Sequence, residues 1–100
     1  MPDSLPTPTI FRAYADGEVV ALFPTIPADL DGHCSSYVRV GQHGAADPGY
    51  VIARTRPAGP DEYANLLHEL TGIGYDVHPV RRLTRRMVEE RRATLARWLA

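Results

Sequence analysis

Cys34, His43 and Asp47 are the residue types of a nucleophilic triad, in which an imidazole takes the proton of a thiol and a carboxylate orients the imidazole. That chemistry requires the three to meet in a pocket. The alternating pattern around Cys34 places it on the same strand face as Val38 and Val40, as a small buried hydrophobe, and this weighs against a reactive thiol. A small enzyme using Cys34 or His43 with Asp47 therefore stands as the rival reading, behind a non-enzymatic binding protein. His33, His43, His68 and His78 form no recognised ligand pair on a helix or hairpin, and His68 falls on a solvated helix flank. Neither a metal nor a cofactor is expected.

Two glycines clasp a polar pair in Gly41-Gln42-His43-Gly44. Glycine on both sides of Gln42 and His43 implies a tight turn, or a close approach by another backbone or a ligand. The spacing is that of the Gly-x-x-Gly clamp with which some small RNA-binding domains hold a phosphodiester backbone. Those clamps lie between two helices and carry a basic residue, whereas this one follows a strand pattern and offers Gln and His. A structural turn, with His43 hydrogen bonded to Asp47, is the simpler reading. The densest basic patch is Arg81, Arg82, Arg85 and Arg86, whose guanidinium groups suit bidentate phosphate contacts and counterion release. Against that role, Arg85 and Arg86 each precede a glutamate by four residues, Glu89 and Glu90, and are partly self-neutralised on a helix. Tyr37, Arg39, Gln42 and His43, together with Arg81, Arg82, Arg85 and Arg86, form the expected binding surface.

The elements that must position these residues follow from punctuation and periodicity. Residues 1–8 carry three prolines and read as a flexible lead-in, with order beginning near Thr9. Two apolar stretches, Thr9 to Ala15 and Glu18 to Phe23, join at Asp16-Gly17, the dipeptide of a two-residue hairpin turn. Pro24 and Pro27 end the second strand and open a surface loop. Cys34 to Val40 reads as a third strand and Tyr50 to Thr55, rich in aromatic and β-branched residues, as a fourth. Pro60, Asp61 and Glu62 start a helix over residues 60–72, with Tyr63, Leu66, Leu67, Leu70 and Ile73 as its apolar stripe. Tyr75 to Val80 reads as a final strand held to an edge or a strand end by Pro79. Thr84 caps a second helix reaching about Leu99, amphipathic through Met87, Val88, Leu95, Trp98 and Leu99, with Arg91 intruding into the apolar sector.

The predicted fold is therefore α+β: a mostly antiparallel sheet of four or five strands, one packed helix and a C-terminal amphipathic helix. Residues 9–83 form the domain and 84–100 the C-terminal helix. The predicted core is Ile10, Val20, Leu22, Val38, Val40, Val51, Leu66, Leu67 and Leu70. A chain of 100 residues fits one domain, with 44% hydrophobic and 23% charged residues near globular averages. Residues 1–76 hold ten acids against four arginines, whereas 77–100 hold seven arginines against two acids, so a net charge of -1 conceals a strong asymmetry. All 11 basic residues are arginine, which reads mainly as codon bias. A lone cysteine, with no signal-peptide pattern and no apolar run of spanning length, points to a cytoplasmic protein without a membrane partner.

Ala21-Leu22-Phe23-Pro24, Ser36-Tyr37, Val40 to Asp47, Thr55-Arg56-Pro57-Ala58 and Glu62-Tyr63-Ala64 together resemble a pattern in a group of small uncharacterised bacterial proteins. Many of these are found on plasmids, phages or other mobile elements. The resemblance spans about residues 10 to 82 and stops short of the C-terminal helix. It implies a setting, an accessory or regulatory factor of a mobile element, and no mechanism. The leading expectation is a small binding protein that recognises nucleic acid or a protein partner. A third possibility is a homo-oligomer assembled through the C-terminal helix, burying Leu95 and Trp98.

Overall fold

Alternation along β1 (Thr7–Ala13) sets the architecture: Phe11 and Ala13 point to one side of a sheet, Ile10 and Arg12 to the other, and both sides are buried. The computed structural model describes residues 6–100, so most of the proline-rich lead-in lies outside the described residues. The strand begins at Thr7, two residues before the expected start, because β1 gains a parallel neighbour there. β2 (Val19–Pro27) pairs antiparallel with β1, in the register Ile10 to Leu22. The turn between them is a three-residue loop, not the two-residue one expected from Asp16-Gly17. The Tyr14 N–H donates to the Glu18 carbonyl at 2.8 Å, and Gly17 alone takes positive φ, at 92°.

Pro24 and Pro27 do not end β2; they are accommodated at a register shift between Phe23 and Pro27, where the ladder does not require their missing N–H groups. β3 (Cys34–Tyr37) and β4 (His43–Ala46) extend the sheet as an antiparallel hairpin. β3 is three residues shorter than expected. Val38 is half-buried and Val40 is 81% exposed, so neither belongs to the core.

The segment expected as a fourth strand is instead α1 (Pro48–Arg54). Asp47 caps its start by accepting from the Tyr50 N–H at 3.2 Å, Pro48 occupies the first turn, and Arg12 closes its end from below. The Arg12 guanidinium donates to the carbonyls of Ile52 (3.0 Å) and Thr55 (2.6 Å) and to Thr55 Oγ1 (2.9 Å). A cation against the last carbonyls of a helix satisfies both their lone pairs and the helix dipole.

The two-residue β5 (Arg56–Pro57) pairs with the later part of β1 and leads into α2 (Pro60–Gly72), which matches the predicted helix. β6 (Val77–Val80) pairs parallel with the earlier part of β1, so the sheet order is β4-β3-β2-β1, with β5 and β6 sharing the far edge. The chain ends in α3 (Arg85–Leu99), capped by Thr84. The result is an α+β fold, with a mostly antiparallel six-stranded sheet and three helices among the described residues.

The core is double. On one face α2 brings Leu66 and Leu70 onto Phe11, Ala21, Phe23 and Tyr37, with Tyr63 stacked on Phe11 and Tyr75 on Phe23. On the other face Ile10, Val20, Leu22 and Cys34 are covered by Val51 and Ile52 of α1 and by Leu83, and α3 lies along β2. Leu67 only borders the first cluster.

Candidate functional site

Tyr37 ends β3 with its ring 1% exposed, so it is an internal anchor and not part of a contact surface. Its hydroxyl donates to the Glu69 carboxylate and accepts the Gly41 N–H at 2.8 Å. The same carboxylate accepts the Val40 N–H, fastening the β3–β4 loop to α2. This clamp accounts for Val40 adopting φ of 50°, a conformation that a β-branched residue otherwise avoids. The shared hydrogen bond pushes the Tyr37 hydroxyl pKa up and draws the Glu69 carboxyl down.

The amides that a phosphate clamp would present are therefore already occupied: that of Gly41 binds the Tyr37 hydroxyl, that of Gln42 the Arg39 carbonyl and that of His43 the Gly41 carbonyl. The surrounding cleft, about 460 Å³, is acidic, with Asp16, Glu18, Glu62 and Glu69 against a single Arg39. Arg39 lies 3.8 Å from Glu18 on the surface. Glu62 is held by Arg56 and by the Gly59 N–H, which lower its pKa to about 2. A phosphodiester finds no favourable field here.

His43 lies directly across from Tyr37 and meets its ring edge-on at a centroid separation of 4.7 Å. Its Nε2 sits 3.1 Å from the Tyr75 hydroxyl, the partner it takes in place of Asp47. Cys34 occupies the opposite face of the sheet, fully buried, and burial pushes its thiol up to about 11. Asp47 is engaged as the cap of α1. Cys34, His43 and Asp47 thus do not assemble into a triad.

Arg81 and Arg82 follow β6 at the edge of the sheet farthest from β4, so the expected binding surface separates into two. Gln42 and His43 are exposed at one edge, with Arg39 on the adjoining loop, and Arg81 and Arg82 lie at the other. Arg81, Arg82, Arg12, Ile52, Pro57 and Leu83 border an open cleft of about 480 Å³ on the α1 side. Burial, with the neighbouring Arg81 charge as the lesser cause, lowers the Arg12 pKa. Arg85 and Arg86 stand in the first turn of α3, which has no acidic residue. Their contacts to Glu89 (4.0 Å) and Glu90 (3.6 Å) are made by side chains 91% and 89% exposed, and pairs so solvated neutralise little.

Arg12 escaped the sequence reading, although a lone arginine among Ile10, Phe11 and Ala13 was its signal. Glu69 gave no signal, since its partners are about 30 residues away.

Among the described residues, one grouping has the reach of a metal site: Asp29, Asp31 and His33, with ligand atoms within 4.8 Å of one another. Asp29 already accepts from the Asp31 and His33 N–H groups and lies 2.7 Å from His33 Nδ1, so the loop satisfies itself. No helix of the described residues is long and apolar enough to cross a membrane. Trp98 and Leu99, at the end of α3, are 61% and 65% exposed. Compared with family models, curated proteins and solved structures, the chain matches none of them.

Proposed function

We propose that this protein is a non-enzymatic binding module that contacts the phosphate backbone of a nucleic acid through Arg81, Arg82, Arg85 and Arg86. The observation that carries this reading is the gathering of four arginines around the N-terminus of α3, in line with the positive end of the helix dipole. Cations placed there raise the free energy of the isolated protein, and a polyanion relieves the repulsion. Arg12 adds a buried positive charge behind the same cleft. Contacts of this type fix position without reading sequence, so the expected binding is salt-sensitive and weakly sequence-selective. The resemblance to mobile-element proteins adds a setting, an accessory or regulatory factor of a mobile element, and no mechanism.

The test is fluorescence anisotropy with labelled single- and double-stranded DNA and RNA over a salt series. Two to four phosphate contacts predict a log–log salt slope of about -2 to -4. Replacing Arg81 and Arg82 together by alanine is expected to lower the magnitude of that slope by about 2, while Arg97→Ala leaves it unchanged. Absence of binding at low salt, or a slope indifferent to Arg81 and Arg82, overturns the proposal.

A further inference from the structure

β4 is an edge strand, and among the described residues its only neighbour in the sheet is β3. Exposed edges are templates for further pairing, and proteins usually guard them with charges, prolines or bulges. This edge has none within His43-Gly44-Ala45-Ala46, and its first three residues are exposed.

The hydrogen-bond alternation specifies which groups are on offer. The Val38 N–H donates to the Gln42 carbonyl at 3.0 Å, so in the register of the hairpin Gly44 and Ala46 direct their backbone groups to β3. His43, Ala45 and Asp47 direct theirs outward. Of these, the His43 N–H already bonds the Gly41 carbonyl and the Asp47 carbonyl accepts from Val51. What remains is both groups of Ala45, the carbonyl of His43 and the N–H of Asp47.

We infer that this edge pairs antiparallel with β4 of a second copy of the chain, about a two-fold axis at Ala45. In that register Ala45 N–H and C=O bond reciprocally with Ala45 of the other copy. Each Asp47 N–H meets the other copy's His43 carbonyl, so every remaining outward group finds a partner and the occupied ones face each other. The side chains fit the same register. Gly44 lies opposite Ala46, small against small. Centring the axis on Gly44 instead brings together groups already bonded to β3. Beside the seam, an open groove of about 470 Å³ lined by His43, Ile73, Gly74 and Tyr75 leaves Ile73 54% exposed and provides apolar surface for the second copy to cover.

The experiment is sedimentation velocity of the full chain across micromolar to near-millimolar concentrations. A monomer–dimer equilibrium is expected, and Ala45→Pro, which deletes the central donor without touching a bond to β3, is expected to weaken it about 10- to 100-fold. Trp98→Glu is expected to leave it intact, which separates this seam from assembly through α3. Should Ala45→Pro disturb the circular dichroism spectrum, Ala45→Cys replaces it. Two such cysteines face each other across the axis and are expected to cross-link under mild oxidation, whereas Arg39→Cys on the adjoining loop is not. A monomer at every concentration, a dimer indifferent to Ala45→Pro in a folded protein, loss of the dimer with Trp98→Glu, or failure of Ala45→Cys to cross-link overturns the inference.

Discussion

Arg91 is the side chain on which the docking of α3 turns. It is 7% exposed, and its Nη1 donates at 2.9 Å to the carbonyl of Pro24, in the stretch of β2 where the register shifts and the ladder offers no donor. Among the described residues no carboxylate lies within ion-pair distance of it, so a single carbonyl and the packing of the aliphatic stem compensate a buried charge. Arg91→Ala removes two methylenes, worth about 0.8 kcal/mol each, and leaves the Pro24 carbonyl unpaired at a cost of about 1–3 kcal/mol. The expected destabilisation is about 3–4 kcal/mol, a large share of the stability of a domain this size. Arg91→Met loses the same hydrogen bond and the same cation but keeps the stem, so it is expected to cost about 1.6 kcal/mol less than Arg91→Ala. Urea denaturation followed by far-ultraviolet circular dichroism measures both, provided the m-values agree. If alanine costs under about 1 kcal/mol, or methionine costs as much as alanine, Arg91 does not dock the helix through its stem and the Pro24 carbonyl.

Three further outcomes follow from individual residues. Glu62, drawn down by Arg56 and the Gly59 N–H, stabilises the fold fully above its ordinary value of 4.5, and this contribution is lost as pH falls through about 2. Glu62→Gln is therefore expected to reduce the difference in stability between neutral and acid conditions, read from urea midpoints. Cys34, raised to about 11 by burial, is expected to react with a thiol reagent only at the rate of unfolding, and rapid labelling of the native protein contradicts the packing described. Val40→Gly relieves a β-branched residue at φ of 50° without loss of packing, because the side chain is 81% exposed. It is expected to leave stability unchanged or to raise it by up to about 1 kcal/mol, and a clear loss in thermal unfolding argues against strain at this position.

Much of the fold was legible wherever a local signal and its structural cause coincide. Pro60, Asp61 and Glu62 initiate α2 because each suits the first helical turn on its own, and Leu66 and Leu70 recur at the helical period. Thr84 caps α3 through the Met87 N–H, again within one turn. The failures mark places where a distant residue decides. Tyr50, Val51 and Ile52 have strand propensity, but Asp47 and Pro48 start a helix there, and Arg12, some 40 residues earlier, closes it. Alternation continues through Val38 and Val40, yet the strand ends at Tyr37 because Glu69 draws the loop toward α2. The binding surface was least legible. Tyr37 looked available and is buried, and only the strand order shows that His43 and Arg81 stand at opposite edges.

That separation has a consequence for how the two proposed surfaces work together. If β4 joins β4, the Arg81–Arg82 pairs lie at the two outer edges of one continuous sheet, nine inter-strand spacings apart when counted from β6 to β6. At roughly 4.8 Å per strand, a little over 40 Å separates them, somewhat more than one turn of duplex DNA. A duplex of about 10 base pairs then engages one cluster, and one of about 25 base pairs spans both, the second contact being an intramolecular event that raises the apparent affinity. Anisotropy with the two lengths is expected to differ by more than the count of available sites explains, and Ala45→Pro is expected to abolish that excess while preserving affinity for the short duplex. Equal affinities for the two lengths in a dimeric protein show that the clusters do not act on one ligand. An excess that survives Ala45→Pro in a monomeric protein shows that it arises within a single copy.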